Sequence, residues 1–99
     1  MTTDSRQAAA AKVAELIAVL NNHKTPETAA IVDECTALST AIGAFHMEGI
    51  RFRMYNVDRL IHKHGSTLPP QSSGLLEEVR HQLETAGFHT RSHQAPGQG

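Results

Sequence analysis

A chain of 99 residues with a formal net charge of −1 is sized for one domain and has no excess of cations to draw it to phosphate backbones or anionic lipid. Hydrophobic residues make up 39% of it and aromatics only 4%, so the core must be aliphatic, which suits packed helices better than a sheet. A single cysteine excludes an internal disulfide, and no apolar run approaches the ~18 residues of a membrane span. The start, Met1-Thr2-Thr3-Asp4, lacks the apolar stretch of a signal peptide. A cytoplasmic protein without membrane contact is expected, with nucleic acid disfavoured by the charge balance.

The first predicted helix runs from Asp4 or Ser5 to Leu20. Asp4 with Gln7 suits a capping box, and the alanines from Ala8 to Ala11 supply high propensity. Val13, Leu16, Ile17 and Leu20 form its apolar edge. The turn-favouring run Asn21-Asn22-His23-Lys24 is short, which makes the next helix an antiparallel neighbour.

That next helix is predicted as one long rod from Pro26 to His64. Thr25 suits the N-cap, Pro26 the first position and Glu27 the positive end of the helix dipole. His62, Lys63 and His64 suit its last turn, with Gly65 beyond. The rod carries two apolar stripes. Ile31, Cys35, Leu38, Ile42 and Phe45, continued by Phe52 and Leu60, form the first; Met47, Ile50, Met54, Val57 and Ile61 form the second. At ~1.5 Å per residue the rod would span roughly 58 Å, more than the rest of the chain can cover. Helix 1 is expected on the first stripe.

Gly65 to Ser73 reads as a loop. A third helix from Gly74 to Ala86 follows, with Leu75, Leu76, Val79 and Leu83 at helical spacing and Gly87-Phe88 as a Schellman ending. Its expected partner is the second stripe. Residues 1–88 read as a single helical domain and 89–99 as a flexible polar tail.

The chemistry is sparse. Seven histidines stand out, yet His62 and His64 diverge on a helix and suit its negative end. His89 and His93 fall in the polar tail. Glu78 and His81 have the E-x-x-H spacing of metal-binding helical bundles, and a dimer could add Glu34 or Glu48. Both point away from Val79, the centre of their helix's apolar face. Asp58 and His62 lie one turn apart and could pair. Cys35 reads as a small buried hydrophobe. No nucleophile triad, phosphate-binding loop or CxxC supports catalysis, and no cofactor is expected.

One rival changes the fold. Ile50, Phe52 and Met54 alternate with Arg51, Arg53 and Tyr55 as in a strand. A strand there, with helices after it, resembles the order of elements in ribbon-helix-helix repressors. That resemblance implies a DNA-binding dimer that reads the major groove through Arg51, Arg53 and Tyr55. Against it, the helical spacing continues without a phase break from Met47 to Ile61.

The expected architecture is therefore all-α: three helices about a long central one, associating as a homodimer with a four-helix-bundle-like core. Phe45, Ile50, Phe52, Met54, Val57, Leu60 and Ile61 are expected in that core or interface. The expected function is non-catalytic, through binding of another protein, with Arg51, Arg53, Tyr55 and Arg59 as contacts.

Overall fold

The rod expected over residues 26–64 is two helices. The computed structural model describes residues 4–88, which run as α1 (Ser5–Asn21), α2 (Pro26–Gly43), α3 (Met47–His64), a 3-10 turn (Gly65–Thr67) and α4 (Ser72–Thr85). The chain is all-helical, with no strand among the described residues. Ile50 to Tyr55 lie within α3, so the ribbon of the rival reading does not form. Four helices replace the expected three because the central one breaks at Ala44, Phe45 and His46. The described residues extend 35 Å along their longest axis.

Phe45 makes the break. It adopts φ 59, the left-handed region that glycine usually fills. Its amide donates to the Ile42 carbonyl (3.2 Å), and the His46 amide donates to that of Ala41 (3.0 Å). These are the two bonds of a Schellman ending. A side chain in this conformation costs about 1–2 kcal/mol, and packing offsets it. The Phe45 ring lies 5.6 Å from the ring of Phe88 and 4.4 Å from the Arg6 guanidinium. Arg6 Nη1 also donates to the Ile42 carbonyl at 3.2 Å, so the start of α1 grips the end of α2.

α3 then restarts on His46, whose Nδ1 accepts the Gly49 amide at 2.8 Å. A β-carbon on Gly49 would come within 2.6 Å of that nitrogen, whereas Gly74, in the first turn of α4, has open space around it. Glycine to alanine inside a helix ordinarily gains ~0.5–1 kcal/mol. Gly74→Ala is therefore expected to raise the thermal midpoint. Gly49→Ala should leave it unchanged or lower it, because displacing the cap offsets the gain. Melting curves of the two variants check this, and equal gains would refute the cap.

The other helix ends follow their sequence signals more closely. Thr25 and Thr28 form a reciprocal capping box on α2, with Pro26 as its first residue. The backbone amide of Glu27 and the Thr25 hydroxyl hold the Glu27 carboxyl below its ordinary value. Asp4 caps α1 by accepting the Arg6 amide at 3.0 Å rather than through a box with Gln7. Gly87 (φ 98) closes α4, and the Phe88 amide donates to the Leu83 carbonyl at 2.8 Å. α4 starts at Ser72, slightly before the expected Gly74.

α1 lies between α2 and α4, and α3 lies along the other side of α2. Val13, Leu16 and Leu20 of α1 and Ile31, Cys35, Leu38 and Ile42 of α2 share one continuous core, as the short connection between these helices implies. Ile50, Met54, Val57 and Ile61 of α3 and Leu75, Leu76, Val79 and Leu83 of α4 complete it. The expectation that residues 74–86 pack chiefly on the second stripe is corrected. α4 has α1 as its main neighbour and meets α3 more narrowly. The break is the reason: α3 folds back along α2, which takes the place α4 was expected to fill. Burial pushes the Cys35 thiol up to about 12, so it stays protonated at neutral pH and behaves as a small apolar side chain.

Candidate interaction surface

Folding the rod back leaves α3 with one face inward and one outward. Ile50, Met54, Val57, Asp58 and Ile61 are buried. At ~100° per residue, Glu48, Phe52, Tyr55 and Arg59 lie on the opposite side of the cylinder. Glu48 and Arg59 are exposed, Phe52 is 47% exposed and Tyr55 is half-buried. The steps of 4, 3 and 4 align these four side chains in a stripe about three turns long. Arg59 forms no ion pair among the described residues.

The Phe52 ring has an anchored cation beside it. Arg53 Nη1 donates to Glu34 of α2 at 3.1 Å, and Asn56 Nδ2 donates to the same carboxylate at 3.3 Å. That anchoring sets the Arg53 guanidinium 5.2 Å from the centroid of the Phe52 ring, within cation–π range.

The structure sorts the residues singled out in the sequence. Of the four expected partner contacts, Tyr55 and Arg59 lie on the outward stripe. Arg51 stands to one side and reaches back to Glu48 at 3.4 Å. Arg53 is engaged inside the fold by Glu34. Of the expected core or interface residues, Ile50, Met54, Val57 and Ile61 are buried within this chain. Leu60 packs partly buried against the core, while Phe45 (62%) and Phe52 remain exposed. Met47, at the first position of α3, is exposed as well.

The sequence reading overlooked Arg80. It is buried and donates through Nη2 to Asp58 of α3 and through Nη1 to Glu77. This guanidinium joins α3 to α4 through charge where the two helices meet only narrowly. Above the pair opens a cleft of about 300 Å³, lined by Asp58, His62, Leu68, Ser72, Leu76 and Glu77 among others. The Ser72 hydroxyl is buried with no hydrogen-bond partner among the described residues. The two carboxylates lining the cleft, Asp58 and Glu77, are both engaged by the Arg80 guanidinium.

Glu78 and His81 do not converge with other ligating groups. The Glu78 carboxylate pairs with Lys12 of α1 at 3.1 Å, and His81 is exposed. Glu78, followed by Glu15, raises the Lys12 ammonium above its ordinary value. No group of three or more His, Cys, Asp or Glu side chains among the described residues could hold a metal ion. His89 and His93, with the rest of the expected tail, lie outside the described residues. None of the described helices is long and apolar enough to cross a membrane. Comparison with models of protein families, with curated proteins and with solved structures finds no match for this chain.

Proposed function

We propose that this chain is a small non-catalytic helical module that works by protein–protein association through the outward face of α3, with a homodimer as its basic form. The observation that supports this most directly is Phe52. It is a large aromatic, 47% exposed on the face opposite the core, with an anchored arginine beside it. Aromatic and arginine side chains are enriched at interfaces, and tyrosine and arginine, which flank Phe52 here, are among the residues that carry most of the binding energy.

The homodimer differs from the one expected from sequence. Ile50, Met54, Val57 and Ile61 serve the chain's own core, so the surface left for a partner is smaller and more polar, centred on Phe52, Tyr55 and Arg59. A three-turn stripe falls short of the ~800 Å² per partner typical of stable complexes, so the association should reverse on dilution. Sedimentation equilibrium of the full chain tests this. The wild type is expected to approach the mass of two copies as concentration rises, and Phe52→Asp to stay at one copy with unchanged helix content. An undiminished dimer in Phe52→Asp would move the contact off this face.

A further inference from the structure

We infer that the partner on this face is a second copy of the chain, lying antiparallel about a two-fold axis that passes between Phe52 and Tyr55. The inference rests on the homodimer proposed above for α3's outward face and adds the direction and register of the pair. The stripe runs Glu48, Phe52, Tyr55, Arg59: an acid, two aromatics, a base. That order is its own complement when reversed. In an antiparallel pair, each Glu48 meets Arg59 of the second copy, and each Phe52 meets Tyr55.

A parallel pair would set glutamate against glutamate and arginine against arginine, so the charges choose the direction. The closed two-fold arrangement presents the same patch twice, as an isologous contact requires. The exposed state of the ends fits this pairing. The Glu48 side chain is 72% exposed and, among the described residues, pairs with Arg51 alone, at 3.4 Å and one turn away. Arg59 has no carboxylate partner within the described residues. Between them the charged ends lie ~16 Å apart along the helix, with the aromatic pair at the centre, where water is excluded best.

Charge reversal tests the register. Glu48→Arg carries arginine at both ends of the stripe, and Arg59→Glu carries glutamate at both. Each single variant is expected to self-associate at least about tenfold more weakly than the wild type, because both of its end contacts become like-charged. An equimolar mixture of the two variants should associate about as tightly as the wild type, because every end contact is again complementary. The double variant E48R/R59E should recover alone.

Sedimentation equilibrium reads these masses, and circular dichroism checks that each variant keeps its helices. Single variants that pair as well as the wild type, or a mixture that fails to recover, would overturn the antiparallel register while leaving association through Phe52 standing. A wild type that stays at one copy up to millimolar concentration would overturn the second copy as occupant and leave the face to an unrelated chain.

Discussion

Replacing Arg80 with alanine is expected to cost roughly 3–5 kcal/mol of stability, a large share of what a domain of this size holds. The substitution does more than delete an ion pair. Asp58 is only 5% exposed, so removing the guanidinium leaves a carboxylate in the interior without its cation. The desolvation cost already incurred on folding then loses the compensation that the guanidinium gave. Glu77 matters less, because its side chain is 63% exposed and water can replace the arginine.

The pair also ties α3 to α4 through charge, and these two helices meet only narrowly. Urea melts of Arg80→Ala check the magnitude. Combining Arg80→Met with Asp58→Leu should recover most of the loss, because two apolar side chains need no charge partner. A loss below about 1 kcal/mol for Arg80→Ala would mean that the pair is solvated and that α3 and α4 are held by packing alone.

The two helix breaks show what the sequence made legible and what it hid. The end of α4 is announced by Gly87, which takes φ 98 without penalty and closes a Schellman turn with Phe88. The end of α2 uses the same backbone bonds, but the left-handed residue is Phe45 and the next cap is His46. Neither residue type is a customary break signal. Gly43, two residues before Phe45, is an ordinary helical residue.

The clue that was present is the change of stripe. Apolar side chains move around the cylinder between Ile42 and Ile50, which a continuous helix can accommodate only with two partners. A turn accommodates it with one core. What compensates the strain at Phe45 comes from Arg6 and Phe88, far away in the chain, and no local pattern reveals such contacts. The same holds for Asp58 and Arg80, which are ordinary helix-surface residue types until the fold brings them together. On the outward face, Tyr55 and Arg59 could be picked out by residue type. Glu48 belonged to the same stripe, but its role depends on knowing which side of α3 is buried.

Ile50 and Phe52 give the sharpest separation of readings, with an expected difference of several kcal/mol between two neighbouring alanine substitutions. In an extended strand they would share a face and be lost at similar cost. In α3 they are turned ~160° apart, with Ile50 at 0% exposure and Phe52 at 47%. Ile50→Ala should cost about 2–5 kcal/mol through lost burial and a residual cavity. Phe52→Ala, measured where the protein is a single copy, should cost under about 1 kcal/mol, mostly its contact with Arg53.

At high protein concentration the two variants should diverge in a second way. Association adds stability by mass action, so the wild-type thermal midpoint should climb with concentration, and Ile50→Ala should climb in parallel from a lower start. Phe52→Ala should stay flat, because it has lost the contact and kept the core. Similar losses for both substitutions in dilute protein would contradict the helical placement of residues 50–55. A midpoint that climbs equally with and without Phe52 would place the association elsewhere on the molecule.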